Sequence, residues 1–281
     1  MIEAAGEGRD TIYTEVSYTL APGSSVEMLC TWGSATTYAV DLTGNDLANT
    51  IVGNSANNKI DGGAGADLMW GYGGDDTYYV DNAGDRVVEL QGQGYDTIIS
   101  NVSYVLAAGS EIELLRTWGT ASTAAIDFTG NALANTIVGN AADNRLDGGG
   151  GNDLLWSAAG NDRLIGGAGN DTLNGGLGAD TFVFDTALDT ATNVDTIQDF
   201  MVGMDLIELD GAVFTTLAAG SLQASAFIAA SSAQTADQRI VYDAATGALS
   251  YDADGSGAGT AVQFAILSQG LMLTHTDFFV S

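Results

Sequence analysis

Residues 130–183 divide without gaps into six nine-residue words that share one pattern. Glycine is frequent in the first four places, the sixth residue is always Asn or Asp, and the eighth is always a large apolar residue. Self-similarity at a fixed period indicates stacked units, none of which can bury its apolar face alone. The sixth residues of the words are Asn135, Asn144, Asp153, Asp162, Asp171 and Asp180.

Each word predicts a turn followed by a short strand. Glycine lets the backbone adopt φ > 0 and pass close to a ligand, and the apolar eighth residue would point inward from a strand. Two words would form one coil, so each word stacks on the word eighteen residues later, about 4.8 Å away. Carboxylates stacked so closely repel each other. Calcium removes this repulsion, because it takes carboxylate and backbone carbonyl oxygens as ligands at about 2.3–2.6 Å.

A second, shorter run of four words covers residues 44–79, with Asn49, Asn58, Asp67 and Asp76 in the sixth place. We call residues 44–79 the first block and residues 130–183 the second block. A longer period of 86 residues relates the two, since the sequence of residues 49–54 recurs at residues 135–140. Shifting Met1 by the same period places it inside a repeat. We therefore expect the chain to be the C-terminal part of a longer protein.

The words follow the pattern G-G-x-G-x-D-x-U-x, which resembles the RTX (repeats-in-toxin) calcium-binding family. The resemblance implies an all-β fold, a right-handed parallel β-roll or β-helix solenoid that binds several calcium ions. It divides the chain into a partial repeat spacer at residues 1–43, the first roll at 44–79, a β-rich spacer at 80–129, the second roll at 130–183 and a β cap with a secretion-signal-like end at 184–281.

We predict the calcium ligands word by word. The side-chain ligands would be Asp67, Asp76, Asp153, Asp162, Asp171 and Asp180. The backbone carbonyl ligands would come from the turn glycines Gly62, Gly63, Gly65, Gly148, Gly149, Gly151, Gly160, Gly166, Gly167, Gly169, Gly175, Gly176 and Gly178.

Weaker candidates lie in the Asn words and near the C-terminus. Asn49, Asn58, Asn135 and Asn144 could bind an ion weakly, or could bond their own turns in a calcium-free solenoid. The segment Asp252-Ala-Asp254-Gly resembles part of a calcium loop but lacks its distal Glu, so it is either a metal site or a turn.

The charge balance predicts a folding condition and excludes some partners. The chain has 36 acidic and 7 basic residues and a net charge of −29, so the compact state repels itself unless cations bind. With 46% hydrophobic residues the chain is not predicted to be permanently disordered. Nucleic acid and anionic membrane surfaces are disfavoured partners because a basic patch is missing, and no apolar run is long enough to span a membrane.

Family resemblance, rather than an N-terminal signal, suggests the export route. Residues 1–10 lack the basic and apolar regions of a cleaved secretory signal. The resemblance implies a substrate of Gram-negative type I secretion machinery, with an uncleaved C-terminal signal and a secreted, extracellular or cell-surface location. The ending Asp277-Phe-Phe-Val-Ser281 fits such a signal, although a sheet strand would look the same.

Three function classes remain open. The first is a calcium-dependent folding and secretion module. The second is a glycan-binding module of the kind found in alginate epimerases, or an adhesin segment, in which Trp32 and Trp118 could stack on extracellular polysaccharide; core packing explains the repeated tryptophans as well. The third is the end of a secreted hydrolase. This chain itself predicts no enzyme, because His275 is its only histidine and no acid stands out as catalytic.

Overall fold

The computed structural model describes residues 8–33 and 37–281. It is all-β, with coils stacked in parallel, as the sequence predicts. Among the described residues the only helices are the three-residue 3₁₀ turns Ala224–Ala226 and His275–Asp277, and no helix there has the length and apolar character to cross a membrane. The chain forms two compact units, Met1–Gly119 and Thr120–Ser281.

The first unit contains two sheets built from short strands, and its strand β11 (Tyr104–Val105) lies in neither of them. One sheet has the order β1-β3-β5-β7-β9 and the other includes β2-β4-β6-β8-β10-β12, with parallel pairing throughout. The strands are β1 (Thr11–Thr14), β2 (Tyr18–Thr19), β3 (Met28–Thr31), β4 (Asp41–Thr43), β5 (Thr50–Val52), β6 (Lys59–Asp61), β7 (Leu68–Trp70), β8 (Thr77–Val80), β9 (Arg86–Val87), β10 (Thr97–Ser100), β11 (Tyr104–Val105) and β12 (Leu114–Thr117).

The strand register follows the words. Ile51 pairs with Met69 and Ile60 pairs with Tyr78, each one coil of eighteen residues apart. All four side chains have 0% exposure. The eighth residues of the first block therefore form the interior of the unit, because alternate residues of a strand point to opposite faces. Strands β9, β10 and β12 continue these coils beyond the first block.

The second unit repeats this arrangement and adds a cap. Its sheets run β14-β16-β18-β20-β26-β25-β24-β23 and β13-β15-β17-β19-β21-β27-β22. The strands are β13 (Phe128–Thr129), β14 (Thr136–Val138), β15 (Arg145–Asp147), β16 (Leu154–Trp156), β17 (Arg163–Ile165), β18 (Thr172–Asn174), β19 (Thr181–Phe184), β20 (Asp195–Ile197), β21 (Leu206–Leu209), β22 (Gly220–Ser221), β23 (Phe227–Ala229), β24 (Ile240–Asp243), β25 (Ala248–Tyr251), β26 (Val262–Ile266) and β27 (Phe278–Val280).

The cap continues the last coil with two parallel strand pairs, β20 with β26 and β21 with β27, and then adds antiparallel strands. The cap contains a β-hairpin in which β24 pairs antiparallel with β25, and β25 pairs antiparallel with β26. Strand β27 pairs on both sides, with β21 and β22, so the C-terminal residues lie inside a sheet. Paired strands at this end protect backbone groups that an open coil would expose.

Glycine permits the close stacking of the turns. Gly169 has φ 148°, and a Cβ placed on it would lie 1.6 Å from the carbonyl oxygen of Gly151 in the preceding coil. Such a distance leaves no space for any side chain. Glycine at these places therefore allows the turns of adjacent coils to approach each other closely.

Candidate metal sites

The sixth residues of the words form ladders from coil to coil. The backbone N–H of each donates to the side-chain Oδ1 of the residue one coil later, at 2.6 Å from Asn49 to Asp67 and at 2.8 Å from Asp153 to Asp171. The same bond joins Asp162 to Asp180 at 2.9 Å. We call these series of sixth residues the acidic ladders. They place the predicted Asp ligands of adjacent coils next to each other.

The ladders extend beyond the words that the sequence identified. The N–H of Asp67 donates to Asp85 at 2.9 Å, and that of Asp76 donates to Asp96 at 2.9 Å. In the second unit the N–H of Asp171 donates to Oδ1 of Asp195 at 3.1 Å, and the N–H of Asp180 donates to Oδ1 of Asp205 at 3.0 Å. The two ladders end on these residues. Each of these four residues begins an Asp-x-apolar triplet, such as Asp195-Thr-Ile197. That triplet is the signal that could have found them.

The second carboxylate oxygen of five of the six predicted Asp ligands is buried without a hydrogen-bond partner among the described residues. This holds for Oδ2 of Asp67, Asp76, Asp153, Asp162 and Asp171. Asp180, which is 2% exposed, lies in the same ladder. A buried polar atom without a partner is costly. The atoms available to bind a metal here are all oxygens. Calcium prefers oxygen ligands, so these residues fit this ion.

Glycine also makes room for these oxygens. A Cβ on Gly166, the first residue of its word, would lie 2.4 Å from Oδ2 of Asp171. The corresponding distances are 2.3 Å from Gly148 to Asp153 and 2.3 Å from Gly62 to Asp67. In these three words the first glycine therefore preserves the space beside the free carboxylate oxygen.

Burial raises the pKa of the ladder carboxyls. Desolvation, with smaller contributions from neighbouring carboxylates, raises the pKa of Asp67, Asp76 and Asp153 to about 7. The same causes raise the pKa of Asp162 and Asp180 to about 6. Without a cation the charged form is unfavourable at these positions. A bound cation would favour the charged form instead.

In the words with Asn in the sixth place, the side chain has hydrogen-bond partners for its polar atoms. Oδ1 of Asn49 accepts from the N–H of Asn45 at 2.9 Å, and its Nδ2 donates to the carbonyl of Val26 at 2.9 Å. Oδ1 also accepts a bond from the residue's own turn in Asn58, Asn135 and Asn144. The amides thus stabilise the turns with neutral hydrogen bonds, which is the calcium-free alternative that the sequence left open for these words.

The predicted glycine carbonyls lie in the turns of the words, and several already accept hydrogen bonds. The carbonyl of Gly149 accepts from the N–H of Ala168 at 2.9 Å. The carbonyl of Gly175 accepts from the hydroxyl of Ser157 at 2.7 Å. A carbonyl oxygen has two lone pairs, so one bond leaves it able to contact an ion.

Asp252 and Asp254 lie in the cap, outside the acidic ladders. Asp252 is 7% exposed, and its Oδ1 is buried with no partner in the described part of the chain. Oδ2 of Asp254 accepts from the N–H of Gly259 at 3.0 Å. This pair therefore contributes to a turn of the cap and stands apart from the stacked words.

Trp32 and Trp118 lie at the surface, with 68% and 67% of their area exposed. Each ring lies beside a tyrosine, with centroids 5.1 Å apart for Tyr13 and Trp32 and 5.1 Å apart for Tyr79 and Trp118. Burial in the core therefore does not account for these two tryptophans, in contrast to the packing interpretation of the sequence.

Comparison with known protein families also identifies repeats in the two blocks. The family described as the RTX calcium-binding nonapeptide repeat (four copies) matches residues 43–78, 129–164 and 156–190. No curated protein matches the chain. The matched ranges contain the second block, all but the last residue of the first block, and the predicted Asp ligands whose oxygens lack partners. The chain therefore carries RTX calcium-binding nonapeptide repeats in both of its units.

Proposed function

We propose that the chain is the calcium-dependent folding and secretion module of an exported protein. The observation that carries this proposal is the set of buried ladder carboxylates with one oxygen free, for example Asp153 and Asp171. An unpaired buried charge costs several kcal/mol. A calcium ion between coils would offset that cost and would be held by the ladder Asp side chains and turn carbonyls.

Ion binding would then supply the folding free energy. The net charge of −29 opposes compaction, and each bound calcium ion reduces it. A ligand that binds only the folded state stabilises it by about 2.7 kcal/mol when present at about 100 times its Kd. Several such sites acting together make the chain compact in calcium and expanded without it.

Folding that depends on calcium suits an exported protein. RTX repeats are typical of secreted proteins. Extracellular calcium modules bind with Kd values of about 10⁻⁴–10⁻³ M. In this proposal the chain stays unfolded where calcium is scarce, passes through the type I machinery, and folds outside the cell. The paired strand β27 would form only after export.

The test compares the full chain in excess calcium and in excess chelator, by circular dichroism and size-exclusion chromatography. We expect a large decrease in hydrodynamic radius and a gain of β signal on adding calcium, and no such change with magnesium at the same concentration. An equally compact and β-rich chain in chelator would contradict the proposal.

A second candidate function is glycan binding, and the exposed tryptophans favour it. Trp32 and Trp118 occupy equivalent places one 86-residue repeat apart, and aromatic faces suit the apolar faces of sugar rings. Calcium could bridge a polyuronate to the acidic surface. Trp118→Ala should weaken binding to an immobilised uronate polymer in calcium, while the exposed Leu177→Ala should not. Equal binding by both variants would contradict this candidate.

Catalysis is not proposed for this chain. We propose instead that any enzymatic activity of a longer protein resides in another domain, whereas these residues bind ions and stabilise the folded state. The buried, unpartnered oxygens of the ladder acids support this role, because a bound cation would offset their cost. An assay of the purified chain against glycan and ester substrates would test this division, and turnover by the chain alone would contradict it.

A further inference from the structure

Glu89 occupies a place that belongs to glycine in the words. It lies eighteen residues after Gly71, the first residue of the last word in the first block. Oε1 of Glu89 accepts from the N–H of Gly71 at 3.1 Å. The first residue of all four words in that block is glycine, so Glu89 brings a carboxylate to a position where the words have no side chain.

This carboxylate joins two ladder residues. Asp76, Glu89 and Asp96 can each offer one ligand atom such that all three atoms lie within 4.8 Å of one another. Each residue is only 1% exposed. Two oxygens that bind the same calcium ion are at most about 5 Å apart, so the three residues can reach one ion.

Two oxygens of the cluster are available for a ligand. Oδ2 of Asp76 and Oε2 of Glu89 are buried and have no hydrogen-bond partner within residues 8–33 and 37–281. One oxygen of Asp96 and the second oxygen of Glu89 are engaged: Oδ1 of Asp96 accepts from the N–H of Asp76 at 2.9 Å, and Oε1 of Glu89 also accepts from the hydroxyl of Tyr78. The neighbouring N–H and O–H groups thus hold the carboxylates in place and leave one oxygen on each of two side chains free.

Gly71 preserves the space between these groups. A Cβ on Gly71 would lie 1.9 Å from Oδ2 of Asp76 and 2.3 Å from the hydroxyl oxygen of Tyr78. Neither group could stay where it is with a side chain present. The absence of a side chain at Gly71 therefore leaves room for the carboxylate of Glu89.

We propose that Asp76, Glu89 and Asp96 form a calcium site of their own, distinct in composition from the sites between nonapeptide words. Three side-chain carboxylates hold the ion, and two of them, Glu89 and Asp96, come from the segment that follows the first block. The ion would tie the last word of that block to the next coil. The inference rests on the proposed function, because it assumes that calcium binds during folding.

The first test counts ions on the full chain. Glu89→Gln preserves the shape of the side chain and removes its charge, so calcium titration calorimetry and elemental analysis after dialysis should show one bound ion fewer than the wild type. The control is Glu15→Gln, an exposed glutamate in the same unit, which should bind the full number.

The second test uses terbium in place of calcium. The hydroxyl of Tyr78 donates to Glu89, so the tyrosine lies beside the cluster and should transfer excitation energy to a terbium ion bound there. Tyr78→Phe keeps all three carboxylates and should reduce terbium emission excited through tyrosine more than Tyr95→Phe does, since Tyr95 is 51% exposed and is not part of the cluster. This comparison also decides the matter if Glu89→Gln does not fold.

The outcomes separate the two proposals. A wild-type chain that binds no calcium contradicts the proposed function itself. A wild-type chain that binds several ions, with Glu89→Gln binding the same number at the same affinities, overturns this inference and leaves the proposed function standing. Equal loss of terbium emission in Tyr78→Phe and Tyr95→Phe would also overturn it.

Discussion

Whether the sixth residue of a word is Asp or Asn decides whether its buried side chain requires a cation or a proton. An Asn amide completes its hydrogen bonds inside its own turn and with the preceding coil, as Asn49 does with Asn45 and Val26. An Asp carboxylate accepts one bond from the preceding coil and keeps a second, buried oxygen, as Asp171 does. The first arrangement is neutral and complete, whereas the second requires a cation or a proton.

This difference predicts opposite results for two alanine variants. Asp171→Ala removes a free carboxylate oxygen and should reduce the number of bound calcium ions or the cooperativity of binding. Asn49→Ala should leave the ion number unchanged and destabilise the calcium-bound chain by about 1–3 kcal/mol, because it strands a buried donor and a buried acceptor. Titration calorimetry and thermal unfolding measure the two effects.

The result that would contradict this assignment is an equal loss of bound calcium in both variants. It would mean that the Asn words bind ions as the Asp words do. A loss in Asn49→Ala alone would reverse the assignment altogether. The exposed variant Asp46→Ala, from the same word as Asn49, serves as the control for a change of surface charge.

At the scale of the element, each word is a glycine turn joined to a three-residue or four-residue strand. The strand supplies one inward apolar residue, such as Leu173, which is 0% exposed. The turn brings backbone atoms of adjacent coils into contact, and Gly151 and Gly169 show how close that contact is. Strand pairing sets the coil spacing, and glycine makes the turns compatible with it.

Two glycines of the second block give a matched test of this requirement. Gly169 has φ 148° and lies against Gly151, so Gly169→Ala should destabilise the calcium-bound chain by more than about 1 kcal/mol. Gly150 has no left-handed φ, and the nearest atom to a Cβ there is 3.6 Å away, so Gly150→Ala should be neutral or slightly stabilising.

Thermal unfolding in saturating calcium measures both changes. Equal melting temperatures for the two variants would show that the turns can separate without cost, contrary to the stacked arrangement. Calcium titration of the same variants should show weaker binding for Gly169→Ala, because a displaced turn carries its carbonyl oxygens away from the ion.

At the scale of the whole molecule, the buried carboxyls make stability depend on pH. In the calcium-free folded state the pKa of Asp67, Asp76 and Asp153 is about 7, above the ordinary value of 3.8. Burial raises the pKa of Asp195 further, to about 8. The folded state therefore holds more protons than the unfolded state between about pH 4 and pH 7.

The sign of the effect follows from this proton difference. In chelator the free energy of unfolding should be highest near pH 4 and should fall as the pH rises through about 7, because folded carboxyls lose protons at a higher pH than unfolded ones. Calcium binding at about pH 6–7 should release protons and tighten as the pH rises. Circular dichroism in chelator at several pH values reports the fraction of folded chain and so measures the first effect, and calorimetry in buffers of different ionisation heat measures the second.

A calcium-free chain whose stability increases from about pH 4 to pH 7 would contradict this account. So would calcium binding with heats that are independent of the buffer. Either result would mean that the ladder carboxyls are ionised in the folded chain before calcium binds.

The sequence by itself determined the coil, its interior and the stacking of the Asp residues that it predicts as ligands. The nine-residue phase places apolar residues inward at a fixed interval, so the spacing alone assigns Ile51, Met69, Leu155 and Leu173 to the interior, and all four are 0% exposed. The same phase places Asp153 next to Asp171, since eighteen residues complete one coil. Such features depend on a constant spacing, which a sequence displays directly.

Only the tertiary structure decided where the ladders end and what joins them. Asp96, Asp195 and Asp205 follow their ladder partners by 20, 24 and 25 residues instead of eighteen. The extra residues leave the strand pairing intact, so folding restores a contact that a fixed spacing does not predict. Glu89 and Asp96 both lie in the irregular coil that follows Asp76. Their cluster with Asp76 is visible only in the folded chain. Contacts across insertions depend on chain geometry in three dimensions.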